Sequence, residues 1–146
     1  MIETKRVGEN QRVIFGKDAF DGWADSLSDD ACFQTESQLA SPLDCYGSCI
    51  VQIATNIHYI DAYLKKAAAL CPELIPLINK LEQAYAQVKA ALKDVSDAQG
   101  GYFFDADRKA LLRKDFRVKL AGLIRVLGER YMDVADVVTD YINNGL

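Results

Sequence analysis

Residues 44–71 read DCYGSCIVQIATNIHYIDAYLKKAAALC, and the reading of this stretch decides the fold. Taken at alternating steps of four and three, it places Tyr46, Ile50, Ile53, Ile57, Ile60, Leu64, Ala67 and Cys71 in one apolar seam. Heptad spacing of this kind belongs to a helix with one face committed to other helices. A strand alternates its side chains with period two and cannot produce it. The seam predicts a long central helix packed among neighbours.

Downstream, Pro72 opens a second periodic segment, PELIPLINKLEQAYAQVKAALKDVSDAQ, in which proline suits the first turn. Leu74, Ile78, Leu81, Tyr85, Val88, Leu92 and Val95 repeat at four and three. With almost no linker, the two segments predict an antiparallel hairpin. Gly100-Gly101 stops the second helix, and Tyr102, Phe103 and Phe104 follow. Asp105 or Asp107 is placed to cap a last helix running to about Asn143. Its seam is Phe116, Leu120, Leu123, Leu127, Tyr131, Val134, Val138 and Tyr141.

Upstream, Lys17 to about Leu27 sets Phe20, Trp23, Ala24 and Leu27 on one helical face, with Asp18 and Asp21 in the first turn where the macrodipole favours them. Trp23 is the expected plug of this short helix. Residues 28–43 carry turn and cap residues with little periodicity, a long connection of which part is expected to be helical or functional. Ser41-Pro42 with Asp44 reads as the start signal of the central helix. The expected architecture is all-α: a four-helix up-and-down bundle of one short N-terminal helix and three long ones. It forms a single domain over residues 1–146, with 1–16 flexible or extended and Gln11–Gly16 too isolated to form a sheet alone.

Composition narrows the function. A chain of 146 residues, half of them hydrophobic, can bury a real core. The net charge of −4 removes the electrostatic term that dominates nucleic-acid binding. One basic stretch, Arg108, Lys109, Arg113, Lys114, Arg117 and Lys119, is interrupted by Asp105, Asp107 and Asp115 and reads as a solvated face. The N-terminal residues MIETKRVGEN lack the apolar core of a signal peptide, and no apolar run nears the roughly 20 residues that span a bilayer. The expectation is a cytoplasmic chain with neither nucleic acid nor membrane as partner, and with Cys32, Cys45, Cys49 and Cys71 as thiols.

No catalytic set is recognisable. His58 is the only histidine, and a nucleophile pair would require it to meet a cysteine across helices. Cys45 and Cys49 lie one turn apart, but no spacing matches a zinc finger or ribbon, so neither metal nor cofactor is expected. The stripe Gln52, Asn56, Tyr59 and Tyr63 flanks the central seam and mixes amides with aromatic rings, as a ligand site does. The small residues Ala121, Gly128 and Ala135, seven apart, would admit another backbone; together with Tyr102 and Phe103 they make a candidate interface. These features point to a non-enzymatic helical module for protein interaction or self-association, or alternatively to a small-molecule-binding or accessory domain.

Two stretches carry a resemblance. FGKDAFDGWADSL, residues 15–27, resembles the G-x-x-A-[FY]-x-x-W-A-x-x-L opening of a helical region in bacterial proteins related to butirosin biosynthesis protein H. AYLKKAAALCPELIPLINKLEQAYAQV, residues 62–88, is similar to their helical pair. The resemblance covers about 125 residues, and its matching positions mostly describe packing. It implies an accessory that cradles substrate beside a cysteine-peptidase-like or acyl-transfer domain. The catalytic cysteine and histidine of that domain have no counterpart here, so no catalytic residue is carried over.

Overall fold

The computed structural model of the chain describes residues 5–6, 12–13, 16–101 and 108–144, with side chains from 16 to 39, 48 to 101 and 108 to 144. The expected roles of Tyr102, Phe103, Phe104, Asp105 and Asp107, and of the Cys45 and Tyr46 side chains, lie outside the described residues.

The fold is all-α. Four helices carry it: α1 (Lys17–Ser26), α2 (Ala40–Leu70), α3 (Ile75–Gln99) and α4 (Lys114–Asn144). Among the described residues none of them is long and apolar enough to cross a membrane. Lys5–Arg6 (β1) and Arg12–Val13 (β2) pair antiparallel as a two-residue ladder, so the extended N-terminal segment does find a partner strand.

The seams set the helices and their burial. On α2, Ile50 and Ile57 are buried and Ile53, Ile60, Leu64 and Ala67 half-buried. On α3, Ile78, Val88, Leu92 and Val95 are buried. On α4, Leu120, Leu127 and Val134 are buried together with Ile124 and Ala121, while Val138 rises to 38% exposure. Gly100, at φ 74°, adopts the left-handed conformation that releases α3 into its turn, and Gly101 N–H closes the end on Ser96 O at 2.8 Å.

Helix starts differ from the sequence reading in two places. Helix α2 begins at Ala40, so Pro42 falls in its first turn, where its missing N–H costs nothing. Helix α4 begins only at Lys114, because Arg108–Leu112 forms a 3₁₀ turn in front of it. The long 28–43 connection is largely helical: 3₁₀ turns at Asp30–Phe33 and Glu36–Gln38 fill it, the second held by a Thr35–Gln38 capping box.

The helices alternate in direction. As α1 numbers fall, their α4 partners rise: Leu27 with Arg117, Asp25 with Arg125, Phe20 with Gly128. Helix α1 packs chiefly on α4, α4 on α3, and α3 on α2. The side between α1 and α2 is the loosely joined one. Length explains it: at about 1.5 Å per residue, the 10 residues of α1 cover roughly 15 Å, against roughly 46 Å for the 31 residues of α2.

Candidate functional site: a groove between the first two helices

Two edges of α1 do different work. Phe20, Ala24 and Leu27 face the bundle; Ala24 and Leu27 are fully buried, and Phe20 stacks on Tyr131 with ring centroids 5.5 Å apart. A Cβ built on Gly128 would lie 2.6 Å from Phe20 Cβ, so glycine is what lets α1 seat this closely. Phe20, more than the expected Trp23, is the plug. Trp23 is half-buried against the core and turns its remaining surface to the second edge, with Ala19 and Ser26.

That second edge faces α2 across a groove of about 640 Å³, lined by Ala19, Phe20, Trp23 and Ser26 from α1 and Ser48, Cys49, Gln52 and Ile53 from α2. The volume lies within the range of small-molecule sites. None of these side chains carries a charge. Two of its polar groups bond locally: Ser26 Oγ donates to Trp23 O at 2.6 Å, and Gln52 Nε2 donates one N–H to Asn56 Oδ1 at 3.0 Å.

The connection between α1 and α2 is held by a clamp around Arg117. Arg117, 3% exposed, donates from Nε to Leu27 O at 2.9 Å and from Nη1 to Leu111 O at 2.9 Å and Leu112 O at 3.2 Å. Its Nη2 pairs with Asp30, and the guanidinium lies 4.8 Å from the Phe33 ring centroid. Lys114 also meets Asp30 at 2.8 Å, and Lys109 meets Glu36 at 2.9 Å. The hydrogen bond from Lys114, and then the charges of Lys114 and Arg117, hold the Asp30 carboxyl below the usual carboxylate range. The basic stretch is therefore not simply a solvated face. It fastens the 29–38 segment, which leads directly into α2.

A second cavity of similar size lies between α2 and α3, floored by Ala54, Ile57 and Leu92. Its walls include His58, Asp61, Lys89, Lys93, Ser96 and Asp97. Lys89 bonds both Asp61 oxygens, at 2.6 and 2.7 Å, and lowers that carboxyl's pKa; Lys93 pairs with Asp97. The walls thus neutralise each other. Cys49 opens on the first cavity and His58 on the second. Cys32 is exposed and bonded to Asp29. Among the described residues no three His, Cys, Asp or Glu side chains converge as a metal site.

The expected site residues separate. Gln52 lines the groove, with Asn56 bonded to it. Tyr59 and Tyr63, 55% and 69% exposed, stand farther down α2 on open surface, outside the groove. Ala121 and Gly128 are buried, and the element that comes close at Gly128 is the chain's own α1; Ala135 is exposed. The α1 wall escaped the sequence reading, although the spacing of Ala19, Trp23 and Ser26 at four and three marks a second edge on that helix. No family model, curated protein or solved structure matches this chain.

Proposed function

We propose that this chain is a non-enzymatic helical binding module and that its ligand is a small apolar molecule held in the groove between α1 and α2. The observation that carries this reading is the lining: two aromatic rings and an isoleucine, with alanine, serine, cysteine and Gln52 side chains, around about 640 Å³, and no charged group among the described residues. Binding without turnover fits the placement of Cys49 and His58 in separate cavities. The resemblance to butirosin biosynthesis protein H-related chains suits the same site, since an apolar groove beside an acyl-transfer or peptidase-like domain would cradle substrate.

Trp23 is the only tryptophan and lines the groove, so the chain's tryptophan emission comes from this site. Titration with 1-octanol is expected to shift that emission saturably, and Ser48→Phe, a bulky ring at an exposed groove position, to abolish the response while leaving the unfolding curve in place. An unchanged response in Ser48→Phe refutes the groove as the site.

Self-association is a second reading, favoured by the far half of α2. There Tyr59, Tyr63 and Leu70 are exposed beside Lys65 and Lys66, whereas the matching half of α4 carries Asp133, Asp136 and Asp140. Opposite charges flanking bare apolar side chains suit a second copy that sets α2 against α4. Sedimentation at rising concentration checks it: a strictly monomeric chain, in low salt as in high, excludes this reading.

A further inference from the structure

Resting on the self-association reading, we infer that a second copy sets its α4 parallel to α2 in one register, with Lys66 between Asp133 and Asp136 of the other copy. Two outward stripes carry the contact. On α2, Gln52, Asn56, Tyr59, Tyr63, Lys66 and Leu70 repeat at four and three and are all exposed. On α4, Val126, Glu129, Asp133, Asp136 and Asp140 do the same. At this spacing each set forms one line along its helix, so two such lines can lie side by side. The charges are opposite. Among the described residues Lys66, Asp136 and Asp140 have no ion pair, and Asp133 has only its neighbour Arg130, at 2.9 Å.

The fold fixes the register independently of the charges. Asp61 on α2 is level with Lys89 on α3, which bonds it at 2.6 Å, and Tyr85 on α3 neighbours Tyr131 on α4. Helix α3 runs against both, so Lys89, one turn above Tyr85, brings Asp61 level with Leu127. The same rise along each helix then sets Tyr63 level with Glu129 and Lys66 level with Met132, beside Asp133. A copy related by rotation about an axis along the bundle keeps these levels. Tyr59 then meets Val126, the Tyr63 hydroxyl can donate to the Glu129 carboxylate, and Lys66 reaches Asp133 and Asp136. A slide of one heptad in one direction would set Lys66 beside Val126, and in the other would carry Leu70 to the end of α4. Height and charge select the same alignment.

The test is sedimentation velocity of the full chain in low salt, at concentrations up to about 1 mM. The wild type should associate, and added salt should weaken the association. Lys66→Glu, and separately the pair Asp133→Lys with Asp136→Lys, should each lower the association constant about tenfold by setting like charges together. All three positions are exposed, and circular dichroism checks that each variant keeps the helical fold. An equimolar mixture of the two variants should return to wild-type association, because the introduced glutamate of one copy then faces the introduced lysines of the other. Either variant associating as strongly as the wild type, or a mixture no stronger than its components, overturns the register while self-association stands. A wild type that stays monomeric throughout overturns the self-association reading itself and leaves the groove between α1 and α2 untouched.

Discussion

Arg117 donates from Nε to the backbone oxygen of Leu27, ninety residues earlier in the chain, at 2.9 Å. The carbonyl ending α1 and those of Leu111 and Leu112 in the 3₁₀ turn before α4 converge on this one guanidinium. Helix and turn ends leave carbonyls without intrahelical partners, and burial makes each one costly until a donor arrives. A planar fork meets the three from two separate nitrogens, Nε and Nη1, whereas a lysine offers all its donors from a single nitrogen.

Arg117→Met should therefore destabilise the fold by about 2–4 kcal/mol, the sum expected of buried carbonyls left unmet. Arg117→Lys should recover only part of the loss. Asp30→Asn should cost far less, because Asp30 is largely exposed and water screens its pairing. Urea denaturation of the three variants ranks them; an Asp30→Asn loss equal to that of Arg117→Met would transfer the clamp's strength from the carbonyls to the ion pair.

Two glycines on α4 should respond to alanine with opposite signs. At Gly128 the new methyl would sit 2.6 Å from Phe20 Cβ and 2.7 Å from Cγ, forcing α1 outward, at about 1–3 kcal/mol. At Gly122 nothing lies within 4 Å, so alanine should stabilise the helix by about 0.5–1 kcal/mol. Thermal unfolding of both variants measures this, and the Trp23 emission of Gly128→Ala should report a disturbed groove.

Burial, with the neighbouring Tyr85 second, pushes the Tyr131 hydroxyl up to about 12 from 10.0. The folded chain thus holds this proton over a pH range in which the unfolded chain has released it. Stability from this group is complete below pH 10 and is lost as pH rises toward about 12. The alkaline fall in stability should be shallower in Tyr131→Phe, and one tyrosine fewer should ionise late by ultraviolet absorbance. An identical alkaline slope in the variant would contradict the assignment.

The helices were legible because each buries a stripe repeating at the helical period; the Ile50–Ile57 seam and its counterparts on α3 and α4 are read directly from spacing. Arg117 was not. Its burial is created by carbonyls at residues 27, 111 and 112, and nothing in a run of Arg and Lys says which member turns inward. The small residue at 128 marked a close approach, but spacing does not name the approaching element, here α1. The groove was half legible. Gln52 and Asn56 stood out on α2, whereas the opposing wall depends on α1 seating against α4 and leaving an edge toward α2.

The most direct measurement of the central claim is a heteronuclear NMR titration of the chain with 1-octanol. The groove account predicts saturable shift changes concentrated in residues 19–26 and 48–53, with the His58–Lys89 cleft undisturbed. Changes centred on that cleft, or drifting without saturation across the whole spectrum, would contradict it.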